Sequence, residues 1–146
     1  MLINKEDLPL VAEDFMNEVH YEDIEIINDL HNKLLNYLNN TTKENKTIVI
    51  DAYKHWYSHT VTHFKSEEDK MVQLNFPPYL IHKSEHDNCL KKMGLILDDF
   101  TQNNNTQSLK NYLESDLIDW LINHIQTMDT VTAMFFKSGI SPCSAH

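Results

Sequence analysis

Glycine and cysteine are nearly missing from this chain, with two of each among 146 residues. With only Gly94 and Gly139, neither a glycine-rich phosphate loop nor a turn-heavy β architecture is expected. Cys89 and Cys143 show no CxxC spacing and are too sparse for a disulfide framework. They read as two reduced thiols of a cytoplasmic protein. No stretch approaches the roughly 18 consecutive apolar residues of a membrane helix. The opening MLINKEDLPLVAEDF is acidic and broken by Pro9, so it lacks the basic and apolar regions of a secretory signal. Positive charge is scarce as well: 12 Lys and Arg face 22 Asp and Glu, for a net charge of −10. Such a surface repels phosphate, so nucleic acid and anionic membrane are not expected partners.

What is present points to helices. Hydrophobic residues make up 41% of the chain and charged residues 23%, an ordinary globular balance. The length suits one domain over residues 1–146, burying about 68–70% of the surface of the unfolded chain. Apolar residues recur at helical spacing in four long segments. Ile24, Ile27, His31, Leu34 and Leu38 mark the first, from about Glu22 to Asn40. Trp56, His59, His63, Glu67 and Met71 mark the second, from about Glu44 to Leu74. The third follows Phe76-Pro77-Pro78 and carries His82, His86, Cys89, Met93 and Phe100. The fourth, from about Ser108 to Lys137, aligns Leu117, Trp120, His124, Met128 and Val131. Short polar connections between such helices predict an all-α, antiparallel, up-down-up-down four-helix bundle over about residues 21–137. An N-terminal arm, residues 1–20, is expected to pack by Leu8, Leu10 and Phe15, and residues 138–146 form a short tail.

Nine histidines is an unusual number for 146 residues. Five of them, His31, His63, His82, His86 and His124, fall on inward stripes, and all four helices contribute. Each imidazole buried without a partner costs about 1–3 kcal/mol, which a bound metal relieves at once. His63 and Glu67 are four apart, as are His82 and His86, so each pair shares one helical face. Glu67 on a buried face needs a cation or several hydrogen bonds to stay ionised, whereas Glu68, about 100° round the helix, reads as solvated. A structural zinc site would want a cysteine pair. The HExxH pattern is absent, and no histidine has Glu three residues before it, as carboxylate-rich di-iron bundles require. An imidazole-rich set suits iron, copper, nickel or zinc, and spacing does not choose among them.

Asp29-Leu30-His31, His63-xxx-Glu67, His82-xxx-His86 and His124-xxxx-Asp129 together resemble the bacterial hemerythrins, over roughly residues 15–137. The resemblance implies a four-helix bundle around two non-heme irons that binds O2 reversibly; carriage, storage or delivery of oxygen by a monomer, without enzymatic turnover, is the expected role. It implies His82, His86 and His124 on one iron and His31 and His63 on the other, which keeps an open position. Glu67 and Asp129 would bridge the pair together with an oxo or hydroxo group. Five imidazoles and two carboxylates keep the potential higher than in carboxylate-rich sites, favouring binding over oxidation. Leu34, Trp120, Leu121 and Ile125, all near ligands, are expected to form the dry wall of the O2 pocket, or else plain core packing. Nitric oxide or peroxide handling at the same centre is the alternative, and an oxygen or iron sensor the next.

His59 stands where the family usually has tyrosine, and reads as a donor behind the ligands, a half-buried core residue or an extra ligand. His20 is placed before the first helix, His55 in solvent and His146 at a disordered end, none of them on the metal. Asp129 follows His124 by five residues, which on an ideal helix turns it about 140° away. A single-turn π-bulge between Trp120 and Asp129 would realign the two.

Overall fold

In the computed structural model, which describes residues 2–138, four helical rods run antiparallel. Helix α1 spans Asp14–Asn39, α2 Lys43–Gln73 and α3 Tyr79–Asn103. The fourth rod, residues 106–138, is continuous but not uniform. It consists of α4 (Thr106–Asn111), a π turn (Tyr112–Asp116), α5 (Leu117–His124), a second π turn (Ile125–Asp129) and α6 (Thr130–Ser138). Each rod packs on the next, and the fourth returns beside α1. Among the described residues there is no strand. The tail from Gly139 to His146, with Cys143, lies outside the described residues.

The turns follow from short polar side chains. Thr42 Oγ1 accepts the Asn45 N–H at 3.1 Å and opens α2. Asn105 Oδ1 accepts the Ser108 N–H at 3.1 Å and opens the fourth rod. Asn75 (φ 54°) and Asn104 (φ 53°) take left-handed backbone after α2 and α3, a conformation asparagine tolerates better than most residues. Pro77 and Pro78 then lead into α3, where a missing N–H costs nothing.

The first helix starts earlier than its apolar stripe suggests, at Asp14, so the arm is shorter than expected and His20 stands inside α1. The arm is tied down through the Asn28 side chain, which both donates to and accepts from the Ile3 backbone at 2.8 Å. Leu8 and Val11 are buried and Phe15 stacks on Phe136, but Leu10 is exposed and does not pack as expected. The main core, with Leu30, Leu34, Tyr53, Met93, Phe100 and Leu113, fills the bundle on one side of a polar layer and continues past that layer through Met16 and Ala133. Met71, Phe76 and Phe135 close it on the other.

Candidate metal centre

Every rod sends imidazoles or carboxylates into one buried layer. From α3 and the fourth rod come His82, His86, His124 and Asp129; from α1 and α2 come His20, His63 and Glu67. Within each group the ligating atoms lie within 4.8 Å of one another, and all seven residues are buried. The two carboxylates join the groups. Asp129 Oδ1 lies 3.1 Å from His82 Nε2 and 3.2 Å from His124 Nε2, while its Oδ2 lies 3.0 Å from His20 Nε2. Glu67 Oε2 lies 2.7 Å from His63 Nε2, and its Oε1 lies 3.5 Å from His86 Nε2 and 3.7 Å from His82 Nε2. Each carboxylate thus turns one oxygen to the three-imidazole group and the other to the two-imidazole group.

His31 is not there. It sits 11 residues, about 16 Å, further along α1, where its Nε2 pairs with Glu114 at 2.8 Å. Together with Lys110 it holds the Glu114 carboxyl below the usual carboxylate range. The expectation that His31 supplies the first helix's imidazole is therefore corrected: His20 takes that place. The reason is axial. Residues equally far from the α1–α2 turn face each other, and His63 lies 20 residues past Lys43. His20 lies 19 residues before Asn39, and His31 only 8. An apolar stripe fixes the face of a helix but not the level along it. The tight Asn40–Thr42 connection was the signal that could have set the level.

The predicted π distortion is present as Ile125–Asp129. The extra residue in that turn lets Asp129 share the inward face with His124 despite the five-residue spacing. Thr130 Oγ1 donates to the Ile125 carbonyl at 2.7 Å, compensating one acceptor in the widened turn.

Behind the layer, partners fix the rings. His82 Nδ1 lies 2.7 Å from Thr132 Oγ1, whose own proton goes to the Met128 carbonyl at 2.8 Å. That oxygen must accept, so the His82 proton is on Nδ1 and Nε2 carries a lone pair. His86 Nδ1 donates to Glu68 Oε2 at 2.8 Å and His124 Nδ1 to Glu85 Oε1 at 2.9 Å. His63 Nδ1 lies 2.8 Å from Asp23 Oδ2, and Asp23 Oδ1 lies 2.7 Å from His59 Nδ1. Phe64 stacks flat on His86 with ring centroids 3.8 Å apart, and Trp120 on His124 at 4.5 Å. Glu68 is thus half-buried against a ligand ring rather than solvated. His59 acts one residue further back, through Asp23. Asp23, Glu85 and Thr132 were not legible as functional residues, because nothing in their spacing separates them from ordinary polar positions.

This arrangement tests whether a cation fits. The Nε2 atoms of His82 and His124 face each other at 3.2 Å while both Nδ1 protons are engaged elsewhere. His86 Nε2, Glu67 Oε1 and Asp129 Oδ1 are buried with no hydrogen-bond partner among the described residues. Lone pairs and carboxylate oxygens converging on one dry point repel unless positive charge sits between them. The charges around each group carry the same frustration. Burial, reinforced by His82 and His124, pushes His86 down to about 2. Burial also opposes protonation of His63 and His124, yet Glu67 and Asp23, and Asp129 and Glu85, raise these two above the usual range. Asp129 is held well below the carboxylate range because His124, His20 and His82 outweigh its burial. The acids seek a cation that the imidazoles can supply only by being protonated; a metal ion satisfies both.

Beside His20, His63 and Asp129 lies a small cavity of about 20 Å³, room for one water-sized molecule. Of the four residues expected to wall a ligand pocket, Trp120 and Leu121 line this cavity, and Leu34 and Ile125 do not. Leu34 belongs to the level of His31, and Ile125 is fully buried in the core. The remaining apolar wall comes from Ile27, Trp56, Phe64, Met93 and Leu117, with Cys89 among them. Burial pushes the Cys89 thiol up to about 12, so it stays protonated and neutral.

Known proteins resemble this chain in sequence along most of its length. A bacteriohemerythrin of Aquifex aeolicus is 27% identical over 134 residues, 91% of this chain and 96% of its own length. A bacteriohemerythrin of Methylococcus capsulatus is 27% identical over 116 residues, covering 79% of this chain and 81% of the relative. A hemerythrin of Sipunculus nudus is 27% identical over 103 residues, covering 70% of this chain and 76% of the relative. No solved structure matches. The model of the hemerythrin HHE cation binding domain matches residues 22–135, most of the bundle, and the chain belongs to that family.

Proposed function

We propose that this chain binds O2 reversibly at a di-iron centre and acts in oxygen carriage, storage or delivery. The observation that carries the reading is the uneven ligand set joined by two shared carboxylates. His82, His86 and His124 would hold one iron, and His20 and His63 the other, with Glu67 and Asp129 common to both. The poorer set leaves room for a ligand, and the small cavity lies on that side. When bound, a pair of ferrous ions supplies the two electrons that reversible O2 binding draws on. The protein's own part is to hold and to withhold. Thr132, Glu68, Glu85 and Asp23 keep the Nδ1 side of four rings occupied, so that Nε2 points inward. Ile27, Phe64, Leu117 and Leu121 offer no proton to a ligand in the cavity.

One observation favours the second reading, nitric oxide or peroxide handling. Glu22, His59 and Asp23 form a charged line from the surface to His63, with contacts of 3.3, 2.7 and 2.8 Å. Such a line could supply protons that a carrier would exclude. The deciding measurement is metal content with an absorption spectrum as air is admitted to the reduced protein and removed again. Two irons per chain with a recoverable spectral change supports the carrier. Catalytic consumption of O2, peroxide or nitric oxide without a stable oxygenated form supports the second reading, and zinc alone overturns both.

A further inference from the structure

A second hollow, of about 200 Å³, lies on the surface between α3 and the fourth rod, lined by Asn88, Cys89, Lys92, Tyr112, Asp116 and Trp120. Cys89 and Trp120 also line the inner cavity beside the metal centre. These two side chains therefore stand between solvent and the cavity. Asn88, Lys92 and Asp116 at the mouth are exposed, Trp120 is half-buried and Cys89 is buried. The π turn Tyr112–Asp116 points to the same place. No ligand of the metal centre lies on it, unlike the turn that carries Asp129, yet its first and last residues both line the outer hollow. A π turn widens a helix locally and recurs at functional sites.

We propose that small uncharged diatomic ligands reach the metal centre through this hollow, passing between Cys89 and Trp120, which together form its gate. The proposal rests on the O2-binding reading above. Trp120 is the fixed side, because its indole is stacked on the His124 ring with centroids 4.5 Å apart. Cys89 is the yielding side: a small, unbranched side chain that needs only a rotamer change to open a gap. Ions are turned away by the inner lining of Ile27, Trp56, Phe64, Leu117 and Leu121, which offers little to replace their hydration.

A gate alters arrival and departure alike, and this separates it from a pocket wall, which alters affinity. The test uses the iron-loaded full chain with Asn88→Trp and Asp116→Trp, surface changes that plug the outer hollow without touching the inner cavity. O2 association and dissociation rates should each fall by roughly tenfold, a barrier change of about 1.4 kcal/mol, with their ratio unchanged. Cys89→Ala should raise both. A second readout does not depend on iron chemistry: xenon exchange in the chain as purified, followed by xenon NMR, should slow in both plugged variants. Wild-type rates for O2 and xenon in both plugged variants would overturn the gate. Slowed xenon exchange in a chain that takes up no O2 would overturn the O2-binding reading and leave the gate standing.

Discussion

His20 Nε2 lies 3.0 Å from Asp129 Oδ2, across 109 residues of sequence and from opposite ends of the bundle's connectivity. Both groups are buried, and the pair closes the layer by joining the first rod to the last. Asp129 reaches it only because the turn at Ile125–Asp129 is π-helical.

The first prediction separates the two histidines of α1. His20→Ala should weaken metal binding at the two-imidazole position at least 10–100-fold, the loss typical of disturbing even a supporting partner. His31→Ala should keep full metal content, since it removes a buried ring paired with the half-buried Glu114, at a level of the bundle away from the centre. Metal analysis of the purified variants reads this directly. Equal metal loss in both would return His31 to the centre.

Removing the partners behind the rings should act more mildly. Glu68→Ala, Glu85→Ala and Thr132→Val each leave a ligand in place but free its Nδ1 side. Metal affinity is expected to drop about 10–100-fold in each, without loss of the helical signal. Competition with a chelator measures it, and wild-type affinity in all three would show that these contacts do not position the rings.

The pH dependence should reverse with metal. In the metal-free chain, His63 and His124 have raised pKa values. The stability they add is complete below histidine's usual pKa of about 6.5 and is lost as pH rises through their folded values. His86, depressed to about 2, and Asp129, held low, work the other way and cost stability as pH falls. The metal-free melting temperature should therefore decline above about pH 6.5. The loaded protein needs neutral imidazoles, so it should hold its stability there and lose metal as pH falls. Parallel melting curves for the two forms would contradict the assigned centre.

Two leucines that look alike in sequence should behave differently. Leu121 lines the inner cavity, so Leu121→Gln should speed oxidative loss of the oxygenated form while metal content holds. Leu34 lies deep in the core at another level, so Leu34→Ala should cost about 2–5 kcal/mol of stability and leave the oxidation rate alone. Autoxidation time courses and thermal melts on both variants check the pair.

The sequence alone determined which faces are buried. Helical periodicity set four rods and their boundaries to within a few residues, except at α1, whose inward stripe runs two turns further back, through His20 to Met16. The same periodicity placed His63, Glu67, His82, His86 and His124 inward, and the family resemblance, which puts Asp129 at the centre five residues after His124, implied the π turn. Tertiary structure decided the level along each rod. His20, Ile24, Ile27, His31 and Leu34 share one stripe of α1, and a stripe is indifferent to translation along the helix. Only the antiparallel packing against α2 brings His20 rather than His31 opposite His63. It likewise brings Ile27 rather than Leu34 to the cavity. The partners of the rings, Asp23, Glu68, Glu85 and Thr132, were beyond sequence for a related reason. Each is a polar residue whose role depends on a polar contact with another helix, and such a contact exists only once the rods are docked.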